Sequence, residues 1–327
     1  MTVPPDDRQR DALKLKVLRS LDNRLLKLTL MPTEHCNFRC TYCYEDFELG
    51  TMPEWVVDGV KRLLTSRAPE LHRLELHWFG GEPLMAFPVI AEICSHAQAL
   101  QAGNPKLSIH SSATTNGYLL SPERFSELLR LGVTSYQISL DGYRENHDRT
   151  RRRIDGSGTF LKIWENLLAT RQFKEKFFIM LRVHFTPSTL DHVAELVEKL
   201  NAEFGEDTRY GIFFKAISRL GGSNDHQIER SSDVWKETAK AKLTTLVKRK
   251  DKGVVDPTAT AYLCYAAEPN SLVIRSNGQL ARCTVAFNDP RNQIGYLQSD
   301  GPHGRSMARS LREDHRLSAL RVARSFD

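Results

Sequence analysis

Between residues 24 and 222 the apolar positions switch repeatedly between a two-residue period and a helical one. LKLTLM (26–31), RLELHWFGG (73–81), SIHSSATTNG (108–117), TSYQISLDG (134–142), FFIMLRVHFT (177–186) and RYGIFFKAI (209–217) read as strands. Between them, 53–66, 87–100, 121–132, 158–171 and 188–204 carry apolar residues on one helical face. Pro53 suits the first turn of its helix, and the helix at 121–132 has Ser121 as N-cap, Pro122 in first position and Gly132 at its end. Six strand-then-helix units in series predict a parallel sheet, because parallel strands need crossover connections. Periodicity leaves a partial barrel and an open doubly wound sheet both standing. In either, the functional residues belong at the carboxyl ends of the strands.

The pattern changes after Gly221-Gly222-Ser223-Asn224, where a polar helix is expected over about 231–250. SLVIRSNGQLARCTV then reads as a hairpin with Asn277-Gly278 at its tip, pairing Arg275 with Leu280 and Leu272 with Cys283. The expected organisation is an N-terminal extension (1–23), a core (24–222), a helical linker (223–254), a small module (255–300) and a basic tail (301–327).

Composition narrows the class. With 40% apolar and 26% charged residues the chain is an ordinary globular protein. No apolar run is long enough to span a bilayer, and the charged N-terminus has no signal-peptide core, so a cytoplasmic location and no membrane partner are expected. Of the net +6, half falls in the arginine-rich last 27 residues. There is no recognition helix, RNA-binding signature or basic-aromatic stripe, so no nucleic-acid partner is expected.

Six cysteines are too few for a disulfide scaffold, but three of them lie within eight residues: Cys36-Asn-Phe-Arg-Cys40-Thr-Tyr-Cys43. Thiolates so close can converge on one cluster, and three ligands on a four-iron cube leave one iron open to bind something else. Zinc is the alternative, with His35 or His77 as a fourth ligand. Cys94 shares an apolar helical face with Phe87, Ile90, Ala91 and Ala97 and reads as core.

This spacing, with Tyr42 before the third cysteine, resembles the signature of radical S-adenosylmethionine (SAM) enzymes, over about residues 24–300. The resemblance implies a partial (β/α)6 TIM-like barrel carrying a [4Fe–4S] cluster on Cys36, Cys40 and Cys43. It implies SAM bound at the open iron and cleaved by an electron from the cluster. The products are methionine and a 5′-deoxyadenosyl radical that removes a hydrogen atom from substrate. Gly80-Gly81-Glu82-Pro83 resembles the family's GGEP motif, whose backbone holds the SAM amino group. Thr115-Asn116-Gly117 is similar to a motif near the SAM pocket in the peptide-modifying branch. Ser139-Leu-Asp141-Gly142, with His147-Asp148 and Arg151, matches a further pattern that implies Ser139 near the SAM ribose or carboxylate and Arg151 near the carboxylate. Asp141 and His147 read equally as turn-capping residues, and the run Arg149–Arg153 as a solvated charge cluster. Arg182, in an apolar strand, reads either as facing solvent or as reaching the SAM pocket.

Cys264 and Cys283 frame the hairpin as C-x13-G-x4-C, which resembles the opening of a SPASM or twitch domain, where further iron–sulfur clusters sit. No cysteine follows Cys283, so a complete auxiliary cluster is not expected. The combined motifs are most similar to enzymes that modify peptides or proteins. They imply a ribosomally made peptide precursor as substrate, with sulfatase maturation as the sibling reading. They also imply a flavodoxin- or ferredoxin-type electron donor and a separate peptide-recognition partner. A non-catalytic iron–sulfur protein is the reading from another class.

Overall fold

The computed structural model describes residues 7–248 and 263–297. The expected tail and parts of the linker and small module therefore lie outside the described residues. Within the N-terminal extension, α1 (Asp7–Ser20) is a helix. Then follow β1 (Leu25–Thr33), a three-residue strand β2 (Phe38–Cys40), α2 (Glu54–Arg67), β3 (Arg73–Gly80), α3 (Phe87–Gly103), β4 (Ser108–Thr115), α4 (Pro122–Arg130) and β5 (Val133–Leu140). The chain continues through α5 (Glu145–Thr150), β6 (Arg151–Arg153), α6 (Phe160–Thr170), β7 (Phe178–Phe185), α7 (Leu190–Phe204), β8 (Tyr210–Ala216) and α8 (Asp233–Thr245). It closes with β9 (Ser271–Ile274), β10 (Gln279–Ala281) and β11 (Gln293–Tyr296). Pro53 sits at the N-cap of α2 rather than in its first turn.

Strands β1, β3, β4, β5, β7 and β8 pair in parallel in that order, so the fold is α/β with a partial TIM-like barrel whose end strands do not meet. Alternation decides which way each side chain points. Leu26, Leu28 and Leu30 of β1 and Leu74, Leu76 and Trp78 of β3 are buried in the main core together with Val56, Val60 and Leu63 of α2. The intervening residues are polar. Thr29, Glu75, His77, Ser112, Ser135 and Gln137 line a chamber of about 500 Å³ on the other side of the sheet.

Two expectations about the hairpin are corrected. Its first strand does not stand apart: β9 pairs in parallel with β1, extending the main sheet, and β10 and β11 add antiparallel beyond it. Its register is one residue off the expected one, with Ile274 opposite Leu280 and Val273 opposite Ala281. The loop holds three residues rather than two. Gly278 N–H donates to Arg275 O, Arg275 N–H donates to Gln279 O, and Gly278 takes φ +80°. A turn followed by a left-handed glycine is the usual three-residue hairpin. The hairpin is pinned to the end of β1 by a buried bidentate pair, Arg275 Nη2 to Glu34 Oε2 at 2.6 Å and Nε to Oε1 at 3.1 Å.

Candidate active site

At the carboxyl ends of the parallel strands lies a cavity of about 210 Å³ walled by Cys36, Cys40 and Cys43. The cysteine segment leaves β1 and is held by a two-stranded antiparallel sheet that sequence reading missed. Phe38, Arg39 and Cys40 of β2 pair with Arg153, Arg152 and Arg151 of β6. Thr41 N–H extends the ladder to Thr150 O at 2.9 Å. Of the run read as a solvated cluster, residues 151–153 are thus a strand, and its pairing sets the buried Arg151 beside Cys40. Arg39 closes the loop by donating to the carbonyls of Cys36 and Phe38.

Gly80, the last residue of β3, and Gly81 just after it grip this segment from behind. Glu82 N–H donates to His35 O at 3.0 Å. A methyl group on Gly81 would lie 2.4 Å from His35 O and 2.5 Å from Glu34 O. Gly81→Ala is therefore expected to displace the backbone just before Cys36, destabilising the protein by about 2 kcal/mol and lowering its iron content after reconstitution. Gly103→Ala is the control, since nothing lies within 4 Å of the added carbon. Equal melting temperatures and iron contents for the two variants would refute this.

The Glu82 carboxylate faces the protein interior. It accepts from Leu84 N–H at 3.0 Å, Thr115 Oγ1 at 2.7 Å and Asn116 N–H at 2.7 Å, tying the end of β3 to that of β4. Pro83 starts the short turn that Glu82 caps. Asn116 donates to Asn37 Oδ1 at 2.8 Å, which anchors the cysteine segment from the side.

Asp141, buried at the end of β5, is a hub. It accepts from Tyr42 Oη at 2.9 Å and from Thr150 Oγ1 at 2.7 Å, and it lies 3.0 Å from His184 Nδ1. Arg151 Nη1 donates to the same Tyr42 oxygen at 2.8 Å. Burial pushes the Asp141 carboxyl up, but the His184 hydrogen bond and the Arg151 charge outweigh it and hold the group well below the ordinary carboxylate range. His147 accepts from the Asp141 backbone N–H at Nδ1, so its proton sits on Nε2, facing Thr159 Oγ1 at 3.1 Å. Asp148 accepts from the N–H groups of Thr159 and Phe160 and caps α6. The histidine and aspartate of this motif therefore brace the loop.

Of the residues singled out by sequence, Tyr42, Gly80, Gly81, Asn116, Ser139 and Arg151 line the cavity with the three cysteines, while Glu82, Pro83 and Asp141 support it from behind. Arg182 and His184, from β7, also line it.

The donor set fits an iron–sulfur cube better than a lone ion. His77 has both ring nitrogens engaged, by Ser112 Oγ at 2.8 Å and Thr114 Oγ1 at 3.2 Å. Among the described residues, no three His, Cys, Asp or Glu side chains meet closely enough to hold a single ion. A cube spreads its thiolates wider than one zinc does. Burial raises the pKa of Cys36 and Cys40 and pushes Cys43 up to about 12, so ligation releases protons.

Residues 30–200 match the family model of the radical SAM superfamily. The chain belongs to that superfamily. It is 33% identical over 152 residues to the GTP 3′,8-cyclase of Tolumonas auensis, covering 44% of this chain and 40% of that protein. It is 28% identical over 181 residues to a cysteine-type anaerobic sulfatase-maturating enzyme of Clostridium perfringens, covering 52% and 47%. The chain thus spans under half the length of these curated relatives. The fold is shared with the solved structure of anSMEcpe with bound AdoMet and Cp18Cys peptide, at TM-score 0.64, 21% identity and coverage of 85% of this chain and 78% of that one.

Membership makes the chain an enzyme and implies SAM and a [4Fe–4S] cluster. The second cysteine pair is less enclosed than the first. Cys264 is exposed and Cys283 half-buried, with the Cys283 sulfur accepting from Val285 N–H. Cys94 is buried in the core, as its helical face predicts. Among the described residues no helix is long and apolar enough to cross a membrane.

Three histidines around this radical SAM barrel, the half-buried His77 and the buried His147 and His184, are each pulled down from 6.5 to about 4, first by loss of solvent. The unfolded chain therefore holds more protons than the folded one between these values, and stability rises with pH across that window. Each histidine accounts for up to about 3 kcal/mol, present above pH 6.5 and lost as the pH falls toward 4. Urea midpoints of the cluster-free protein should fall as the pH drops from 6.5 toward 4.5, the three histidines outweighing the buried Glu45 carboxyl, which burial pushes up to about 8 and which acts in the opposite sense, and a flat profile across that window would contradict this assignment.

Proposed function

We propose that Cys36, Cys40 and Cys43 hold a [4Fe–4S] cluster with one open iron, and that SAM binds beside it in the same cavity. The observation that carries this is the convergence, in one cavity, of three thiols with the glycine backbone of Gly80-Gly81, Asn116, Ser139 and Arg151. When bound, the cluster and SAM supply a 5′-deoxyadenosyl radical that removes a hydrogen atom from the substrate. The protein's part is to bind and orient. The close-packed glycine turn brings backbone groups to the SAM amino end, and Arg151 offers a charge-assisted hydrogen bond to its carboxylate. Tyr42 and Asp141 hold that guanidinium in place. The polar chamber beneath, sharing Phe79 and Thr114 with this cavity, gives room for part of a substrate.

The substrate we favour is a peptide, a ribosomally made precursor. The likeness to anSMEcpe with its bound peptide supports this, and the sulfatase-maturating relative supports a protein substrate as the sibling reading. The GTP cyclase relative supports a nucleotide instead, which the experiment separates. In this reading the core spans 24–222 and the small module 255–300. Cys264 and Cys283 do not complete an auxiliary cluster. A flavodoxin- or ferredoxin-type donor supplies electrons in the cytoplasm, and a separate protein presents the peptide. The chain is reconstituted anaerobically with iron and sulfide, then given SAM and a strong reductant, and 5′-deoxyadenosine is measured by mass spectrometry. Product formation, stimulated by a precursor peptide encoded beside this gene and not by GTP, is the expected result. A verified cluster without product overturns the reading, and about eight irons per chain would overturn the absence of an auxiliary cluster.

A further inference from the structure

The inner face of β7 reads Phe178, Met180, Arg182, His184, while Leu181 and Val183 on the other face are buried in the core. Phe178 and Met180 line the lower chamber, and Arg182 and His184 the cavity at the strand ends. Arg182 stands in register with Ser139 of β5 on one side and Phe213 of β8 on the other. It thus sits on the wall opposite β1, facing the same space as the cysteines. His184 is engaged by Asp141 and Tyr42. Arg182 is not engaged: its Nε is buried without a hydrogen-bond partner, and no carboxylate among the described residues pairs with it. Glu45, a carboxyl that lines the same cavity from the cysteine segment, is itself left with a buried unpaired oxygen rather than bonded to Arg182. Burial lowers the pKa of Arg182, yet a guanidinium stays charged. A largely enclosed cation with no hydrogen-bonded anion is costly, and it persists where a ligand supplies one.

The count of cations suggests which ligand that is. Arg151, lining the same cavity from β6, also keeps a buried unpaired Nε beside the one nitrogen it gives to Tyr42. Two guanidiniums with open donors suit two planar oxygen anions; SAM brings a single carboxylate, and the cluster, though net negative on its three thiolates, offers sulfur and not a carboxylate to a guanidinium fork. We propose that Arg182 anchors a carboxylate of the substrate, carried by an acidic side chain or the C-terminus of a peptide. This rests on the reading above, in which Arg151 takes the SAM carboxylate. A guanidinium matches a carboxylate in both charge and planar shape. The triphosphate of a nucleotide carries several charges, against which this wall offers Arg182 and the exposed Lys215.

The test uses the full-length, anaerobically reconstituted protein with SAM bound. Calorimetry measures affinity for four probes: acetyl-Gly-Glu-Gly-amide, acetyl-Gly-Gln-Gly-amide, acetyl-Gly-Gly-Gly with a free C-terminus, and GTP. The wild type should bind a carboxylate probe at least tenfold more tightly than the glutamine peptide. Preference for the first or third probe tells a side chain from a terminus. Arg182→Met should erase the preference and Arg182→Lys keep part of it, with iron content and SAM affinity within about threefold of wild type. The ligand-free Arg182→Met protein should melt no lower than wild type, because it trades a buried unpaired charge for hydrocarbon. If that variant does not fold, Arg182→Lys alone decides by a weakened preference. Equal binding of the Glu and Gln peptides by wild type overturns the proposal. So does a tenfold loss of SAM affinity in Arg182→Met, which would make Arg182 a SAM ligand, and so does Arg182-dependent binding of GTP alone. Failure of the wild type to bind or cleave SAM is a different result and strikes the underlying reading instead.

Discussion

With Cys40 replaced by alanine, reconstituted protein should hold no stable cluster, and 5′-deoxyadenosine formation should fall by more than about 100-fold. The scale follows from metal sites generally, where loss of a supporting residue alone costs about 10–100-fold in affinity or activity. Cys40 is the central member of the three. It lies in the β2–β6 ladder opposite Arg151, so its position is set by backbone pairing. Two thiols cannot replace three on a cube that already lacks one protein ligand. The ladder does not depend on the side chain, so the variant should fold with an unchanged far-ultraviolet spectrum and a melting temperature close to that of cluster-free wild type. Cys264→Ala, at an exposed position of the small module, should keep its iron and its SAM cleavage. Iron retained by Cys40→Ala and lost by Cys264→Ala would reverse the assignment of the two cysteine groups.

The barrel strands and helices were legible because each carries its own period. The cysteines, glycines and strand-end motifs were legible because each is a short local signal. What escaped was decided at long range. The strand at Arg151–Arg153 has no apolar alternation and reads as a charge run, and its partner lies over a hundred residues earlier in the chain. The ion pair of Glu34 with Arg275 spans 241 positions, and neither residue stands out in its local sequence. Strand β9 is buried along its whole length, which an isolated hairpin would not require, and only β1 beside it explains why. The hairpin register turned on one residue: Gly278 at φ +80° makes Asn277-Gly278 the end of a three-residue loop instead of the centre of a two-residue one. Glu82 reads as part of a ligand motif, yet its carboxylate is consumed by three internal donors. In the same way, Asp141 was open to two readings, and folding supplies the partners that distinguish them.

Asp141→Ala should cost about 3–5 kcal/mol of stability, the range seen when one partner of a buried charged network is removed. The carboxylate is 3% exposed and holds together groups from three segments: Tyr42 from the cysteine loop, Thr150 from α5 and His184 from β7. Alanine leaves the Tyr42 and Thr150 hydroxyls without their acceptor and the buried Arg151 without its counter-charge. Asp141→Asn keeps the shape and one acceptor but turns an amide N–H₂ toward groups that themselves donate, so it should cost less, about 2 kcal/mol. Urea midpoints of the cluster-free proteins measure both. The functional consequence passes through Tyr42, whose oxygen receives from Arg151 as it gives to Asp141. Released from Asp141, Tyr42 no longer fixes the guanidinium, and SAM affinity should weaken by about tenfold in the alanine variant even where the protein is fully folded. A loss of stability with SAM affinity unchanged would show Asp141 bracing the fold alone. Weakened SAM binding in both variants, graded as their stabilities are, would show that the charge under the cavity floor also positions the residue that receives the ligand.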